Sequence, residues 1–409
     1  MPRFTCDDVQ RITSGRWLRE GRGDAPQAVS TDTRQLGGGE LFIALRGERF
    51  DAHDYLAEAV RRGAGALVVD DADKAAAADT GKVPMLLVDD AVAALQALAR
   101  AWRDALGAAG VRVISVSGSN GKTTTRHLVH AVLSAQLVGS QSPKSFNNHL
   151  GVPLTLLGAR AQDDFVVVEI GTNHMGEVAQ LGAIVRPDIA VITSIGREHM
   201  EHFQTLANVA AEEAAILAHV AADGVIIAPG DEPQLADHLA GAAGRVVRFG
   251  GTDDCELRVS GIAADGDGVR FDVNGAAHRV ALPGEHNARN AAAALAVAKA
   301  MNVDERLAAA ALATATGPPM RLAVQRVGRG VIISDAYKAN PGSMAAALRT
   351  LAAWPGDAGR SRVAIIGDML ELGDDSPSLH REVGDFIAQL DGIDRVFTVG
   401  CLCMLNCLD

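Results

Sequence analysis

The stretch from Val111 to Leu133, VRVISVSGSNGKTTTRHLVHAVL, carries the residues best suited to hold phosphate. An apolar run leads into a glycine loop, and a helix is expected after it. Gly118, Ser119, Asn120 and Gly121 supply backbone amides that can turn inward, and the positive end of the helix adds to their pull on anions. Lys122 can reach the outer phosphates of a nucleotide, and the hydroxyl of Thr123, followed by Thr124, suits a divalent cation. The stretch departs from G-x-x-x-x-G-K-[ST], because Val116 stands where the first glycine would fall. An ordinary glycine turn is the plain alternative. Gly121-Lys122-Thr123 between strand and helix points instead to a phosphate site with a shortened loop.

Four further clusters sit at the ends of predicted elements. In FVVVEIGTNHMGE, Glu169 closes an apolar run, where a carboxylate is costly unless a cation such as Mg²⁺ pairs with it. The plain alternative is a surface carboxylate. Asn173 and His174 follow in a loop and could orient a substrate. In TSIGREHMEH, His199 follows the run Ile189–Ile192 and is either structural or a metal ligand. In LPGEHNARNAAAAL, Asn287 and Asn290 lie one turn apart at a helix start. Asn287 reads as an N-cap, while the two amides together suit an adenine edge. Arg321 follows the breaker Gly317-Pro318-Pro319, and Asp335 and Tyr337 follow a strand in ISDAYKANPGSM. These read as a surface arginine and a polar strand end, or as an arginine that meets a transferring phosphate on domain closure and an aspartate on a ribose.

The elements that must position these groups alternate. Before Asp89, Val29–Asp32, Glu40–Ala44, Ala66–Val69 and Met85–Val88 are strand-like, and Tyr55–Arg62 is an amphipathic helix ending at Gly63. The intervening TDTRQLGGGELFIALRGERFDAHDY offers Arg34 and Arg46 as anion partners, or is a solvated loop. A helix from Ala91 to about Leu106 leads to ALGAAG, read as a linker. Strands at Val113–Val116, Phe165–Ile170, Ile189–Ile192 and Gly224–Ala228, with helices between, predict an α/β fold with a parallel, doubly wound sheet. Leu257–Ala281 predicts antiparallel edge strands, and a long helix spans Asn287–Met301. Strands at Val331–Ser334, Val363–Ile366 and Arg395–Val399, with helices at Gly342–Ala353 and Ser378–Leu390, make a third unit.

Composition narrows the class. Of 409 residues, 48% are hydrophobic but only 4% aromatic, so the core is built from Ala, Val, Leu and Ile. A net charge of -12 argues against a nucleic-acid partner. No run is long and apolar enough for a membrane span or signal core, and a cytoplasmic location is the expectation. Five cysteines fit a reducing compartment; Cys401, Cys403 and Cys407 match no familiar zinc spacing.

These motifs, in this order and over nearly the whole chain, resemble the Mur ligases, the amide-forming enzymes of peptidoglycan precursor synthesis. GSNGKTT is similar to that family's phosphate loop. TDTRQL, ALRGERFDAHDY, SFNNHLGVPLTLL, EIGTNHMGE, DAYKANPGSM and GDMLELG are similar to the branch that adds D-alanyl-D-alanine. The resemblance implies a three-domain architecture: 1–89 for the UDP-sugar, 90–317 for ATP, and a Rossmann-like 318–409. It implies that ATP with Mg²⁺ phosphorylates the terminal carboxylate of UDP-N-acetylmuramoyl-tripeptide, and that the amine of D-alanyl-D-alanine then displaces phosphate. It further implies Lys122 on the β and γ phosphates, Thr123 and Glu169 on a first Mg²⁺ and His199 on a second; a monomer is the expectation. Asn287 and Asn290 would face adenine, Arg321 the γ phosphate and Asp335 the ribose. Thr33, Arg34, Arg46, Asn147 and Asn148 would contact the UDP-muramoyl end.

Three departures from the family pattern stand out. The helix NVAAEEAAIL lacks the lysine that many members carry as a carbamate, so Glu212 or Glu213 is expected to serve the second Mg²⁺. Lys338 stands where asparagine is common and is expected near the ribose site. The ending CLCMLNCLD reads as early or frameshifted, which predicts a loosely held third domain. The competing readings are another Mur or folylpolyglutamate-type ligase, and a catalytically impaired protein that binds ATP and the UDP-sugar without joining anything.

Overall fold

The computed structural model describes residues 4–20, 26, 28–355 and 361–400. The ending CLCMLNCLD, with its cysteines and the reading of an early stop, lies outside the described residues. The chain divides into two compact units. The first holds Met1–Val113, Gly139–Val168 and Ala183–Arg186; the second holds Ile114–Val138, Glu169–Gly182 and Pro187–Asp409.

In the first unit, β1 (Arg16–Arg19), β2 (Val29–Ser30), β3 (Leu41–Ile43), β4 (Ala66–Val69) and β5 (Met85–Leu87) form a sheet in the order β1-β5-β4-β3-β2. Strands β2 to β5 are parallel, and β1 joins antiparallel at the edge. The continuous apolar runs of β3 and β4 are buried on both faces, as parallel strands require. Phe42, Leu56, Leu67, Val69 and Met85 centre the core. The helix Leu56–Arg61 ends near Gly63, whose φ of +91° suits glycine. The helix Ala91–Ala108 runs through most of ALGAAG, so that segment is not a linker. Leu106 is fully buried and pins the last turn, and Gly110 at φ +89° ends it.

The second unit carries the sheet that positions the chemistry. Its strands are β6 (Arg112–Ser117), β9 (Ile189–Ile192), β10 (Val225–Pro229), β11 (Arg245–Gly250), β12 (Leu257–Asp265), β13 (Gly268–Val273) and β14 (Ala276–Val280). They run in the order β14-β13-β12-β11-β10-β9-β6. From β6 to β12 the pairing is parallel, and β12, β13 and β14 form the expected antiparallel edge. Two further strands, β7 (Gly139–Gln141) and β8 (Phe165–Glu169), pair in parallel, with Gly139 opposite Phe165. The helix Lys122–Leu133 follows β6, and the Ala-rich helix His286–Ala300 packs on it; Ala291 to Ala294 are fully buried. Alanine on that face allows close approach of the two backbones.

Beyond Gly317, β15 (Ala323–Val327) and β16 (Gly330–Ser334) form a hairpin, and β17 (Val363–Gly367) and β18 (Arg395–Val399) pair in parallel. The helices Pro341–Ala352 and Ser376–Ala388 pack together, with Leu348, Ala364, Ile366, Leu379 and Val383 in one cluster.

Candidate active site

The glycine loop connects β6 to the helix Lys122–Leu133. Gly118 at φ +113° and Gly121 at φ +85° shape it. A Cβ on Gly121 would lie 2.6 Å from Asn290 Oδ1, so glycine lets the loop lie against the helix His286–Ala300. The loop amides do not all face a ligand as the sequence suggested. Gly118 N donates to Glu213 Oε2 at 2.6 Å, Ser119 N to Ser194 O at 2.8 Å and Asn120 N to Ser194 Oγ at 3.1 Å. A shortened loop must be braced by its surroundings, and these bonds do that. The first-turn amides after Gly121 lack intrahelical partners by geometry, which leaves them as the donors this loop can offer an anion.

Lys122 lies against the carbonyls of Gly118 and Ser119, the latter at 3.0 Å, and 3.4 Å from Glu198 Oε1. Burial acts to lower its pKa, but Glu198, Glu213 and Glu169 outweigh it and hold the ammonium above the ordinary lysine value. Thr123 Oγ1 donates to Glu169 Oε1 at 3.1 Å, joining the start of the helix to the end of β8. Arg126 Nε lies 3.4 Å from Glu169 Oε2, and both side chains are buried. Burial lowers the Arg126 pKa, Glu169 opposes this, and the charge of Arg321 lowers it further. Arg321 also lies over the Tyr337 ring, 4.3 Å from its centroid. A threonine hydroxyl beside a buried carboxylate is a set of hard oxygen donors, and that chemistry fits a Mg²⁺ ion.

The two glutamates of NVAAEEAAIL have different tasks. Glu212 accepts from Thr172 Oγ1 at 3.1 Å, Gly176 N at 2.6 Å and Val178 N at 2.7 Å. It is fully engaged in holding the segment 172–178. Glu213 turns the other way, to Gly118 and Lys122, and burial raises its pKa to about 7. Glu213 is therefore the member of the pair that faces the site.

His199 differs from the expected metal ligand. It occupies a left-handed conformation at φ 47°, and its Nε2 lies 2.6 Å from Lys338 Nζ. An ammonium only donates, so Nε2 accepts and the other nitrogen carries the proton; this tautomer is assigned from the partners. His199 Nδ1 faces Glu371 Oε2 at 3.0 Å, and Glu371 is itself left-handed at φ 62°. Burial first, and then Lys338, lowers the His199 pKa, consistent with a neutral ring. Lys338 Nζ also donates to Glu198 Oε2 at 3.2 Å. Partial burial pushes the Lys338 pKa below the ordinary lysine value, and Glu198 opposes that. Lys338 thus joins the Lys122 site rather than the ribose side. The sequence reading passed over Glu198, which bridges both lysines and is 1% exposed. The signal for it was a carboxylate next to His199, just beyond a buried strand.

Asn287 is not an N-cap. The helix starts at His286, and Asn287 Nδ2 donates back to Pro283 O at 2.7 Å while its Oδ1 accepts from Asn290 Nδ2 at 2.9 Å. The pair supports the loop at Gly121. Asp335 Oδ1 accepts from Leu322 N at 3.1 Å, closing the turn that carries Arg321, and burial raises its pKa. Asn340, also missed, is buried and donates from Nδ2 to Asn120 Oδ1 at 2.8 Å. Thr124 is buried in the first helical turn. Asn173 N and His174 N donate to Glu177 Oε2, at 2.7 and 3.3 Å.

The remaining predicted residues lie in the first unit. Thr33 and Arg34 fall in a short 3₁₀ turn, where Arg34 donates to both Asp32 oxygens and holds that carboxyl down at about 2. Arg46 bonds Asp51 at 2.9 Å and Asp71 at 2.7 Å. Asn148 Oδ1 accepts from Gly151 N at 2.9 Å at the start of a helix, and Asn147 precedes it.

A nucleotide loop on a parallel sheet, with convergent cations and carboxylates, defines an ATP-dependent ligase of the Mur ligase family, to which this chain belongs. The family's N-terminal catalytic-domain, middle-domain and glutamate-ligase-domain descriptions match residues 27–103, 116–298 and 320–402. The chain is 37% identical to the UDP-N-acetylmuramoyl-tripeptide--D-alanyl-D-alanine ligase of Bacillus subtilis, over 91% of this chain and 80% of that one. It superposes on a crystal structure of MurF from Acinetobacter baumannii with a TM-score of 0.89 at 30% identity, covering 100% of this chain and 88% of the other. For the MurF ligase of Thermotoga maritima in complex with ADP, the values are 0.77 and 26%, over 91% and 84%.

Proposed function

We propose that this chain joins D-alanyl-D-alanine to UDP-N-acetylmuramoyl-tripeptide at the expense of ATP, in peptidoglycan precursor synthesis. The observation that carries the reading is the placement of Lys122 and the Thr123–Glu169 pair at the start of one helix, beside a buried group of carboxylates. The names of the relatives supply the substrates.

A carboxylate is a poor electrophile. One of its oxygens attacks the γ phosphorus of ATP, the bond to the bridging oxygen breaks, and ADP leaves. The dipeptide amine then attacks the acyl carbon of the mixed anhydride, the carbon–oxygen bond to phosphate breaks, and the amine loses a proton. Bringing anions together demands fixed positive charge, which Lys122 and Arg321 provide at the β and γ phosphates. A Mg²⁺ ion held by Thr123 Oγ1 and Glu169 would screen the same oxygens. Asn287 and Asn290 support Gly121 and are assigned to the adenine side; Asp335 is assigned to the ribose. Thr33, Arg34, Arg46, Asn147 and Asn148 are assigned to the UDP-muramoyl end, and Asn173 and His174 to the peptide end. The domains are proposed at 1–89, 90–317 and 318–409. The nucleotide substrates favour a cytoplasmic location, and a monomer supplies every residue assigned here.

Phosphate release is the test. Release that needs both UDP-muramoyl-tripeptide and D-alanyl-D-alanine, with an equal yield of amide, supports the ligase. Release with a single amino acid or with a folate acceptor in place of the dipeptide would sink it.

A further inference from the structure

The search for a second cation site leads to Lys338. A second divalent ion at His199 needs the lone pair of a ring nitrogen, and a neutral imidazole has one. In this chain that lone pair faces an ammonium: Lys338 Nζ lies 2.6 Å from Nε2, while Nδ1 faces Glu371. The same ammonium lies 3.2 Å from Glu198 Oε2, and Glu198 is 1% exposed. Glu198 would be the natural anionic ligand for a cation at this place, and its other oxygen is turned to Lys122. The residues therefore do not fit a second metal ion. We infer that the Lys338 ammonium takes the place of the second divalent cation, so that the nucleotide site uses one metal ion and one built-in charge.

Two independent features agree with this. A lysine carbamate would add a carboxylate to draw in a second metal ion, and NVAAEEAAIL has no lysine to form one. Glu213, the acid that faces the site from that helix, gives one oxygen to Gly118 N and lies close enough to Lys122 to raise its pKa. The chain thus lacks one anionic ligand and carries one additional cation. A divalent ion placed beside the Lys338 ammonium would meet like charge at close range, which opposes its binding. The charge of Lys338 is held in place by Glu198 and His199 and does not dissociate with product.

The inference rests on the ATP reading, and the experiment separates the two. Mn²⁺ bound per protein is counted by electron paramagnetic resonance with a saturating non-hydrolysable ATP analogue. One Mn²⁺ per bound nucleotide is expected for the native chain, and two for Lys338→Asn and Lys338→Ala. Two in the native chain overturn the inference and leave the ligase intact. One in all three proteins overturns it as well, because Lys338 would then not be what excludes the second ion. No binding of the analogue overturns both readings. Should the variants fail to fold, the native count still decides, together with the ¹⁵N resonance of His199 Nε2. That resonance is expected to stay fixed on adding Mg²⁺ with the analogue, and a shift typical of metal coordination would refute the assignment.

Discussion

Removing the Lys122 ammonium takes away the positive charge proposed to meet the β and γ phosphates. Lys122→Ala is expected to lower kcat by about 10²–10³-fold, and to lower the melting temperature as well, because it takes one of its cations from buried Glu198. Steady-state phosphate release and a thermal melt check both halves. The Glu212 and Glu213 carboxylates adjoin in sequence but separate in role, so replacing both at once would mix two effects. Glu212→Ala takes the acceptor from Gly176 N and Val178 N, while Thr172 Oγ1 keeps His174 O, and a loss of about 2–3 kcal/mol in stability is expected. Glu213→Gln keeps an acceptor for Gly118 N and should melt near the native temperature, while the Mg²⁺ concentration for half-maximal rate rises. Single-variant urea melts and Mg²⁺ titrations distinguish them. The sequence showed the acids but not their directions, because a 100° step along a helix sends neighbours to different partners.

Among the elements, the Val- and Ile-rich strands were readable, since continuous apolar runs of four or more residues mark buried parallel strands. Ile189–Ile192 and Ala66–Val69 fall where the pattern put them. Gly139–Gln141, by contrast, reads GSQ, and nothing in its periodicity predicts a strand; its pairing with Phe165–Val167 makes it one. β11 and β15 were passed over because charged residues interrupt them, and the helix Cys6–Thr13 because only Val9 is buried. The glycine loop was legible by type, yet the bracing of its amides by Ser194 and Glu213 was not, since those partners are 74 and 95 residues away. Gly121→Ala tests the close approach of loop and helix. Its φ of +85° and the 2.6 Å approach to Asn290 predict a loss of about 1–3 kcal/mol and weaker ATP-analogue binding, both measurable by calorimetry.

Across the whole molecule, the residues assigned to the UDP-sugar lie in the first unit and those assigned to ATP in the second. Each ligand is therefore expected to bind alone. Chelating the metal with EDTA should abolish phosphate release while titration calorimetry still detects the UDP-sugar, and loss of both together would count against the assignment. At 100 times its dissociation constant, either ligand should add about 2.7 kcal/mol to stability. The family and its branch were readable because whole motifs are kept in order. The Lys338–His199 contact was not, because 139 residues separate the two side chains.

The left-handed backbone at His199 and Glu371 has a consequence for engineering. Two non-glycine residues hold positive φ and face one another, at an expected cost of about 1–3 kcal/mol each. Selection for heat tolerance alone would favour glycine or asparagine at both positions, where φ above zero is cheaper. Such a lineage would lose the imidazole before it lost the fold. Thermostability and turnover pull in opposite directions at this pair, so a library screened first for melting temperature should be depleted of active clones there.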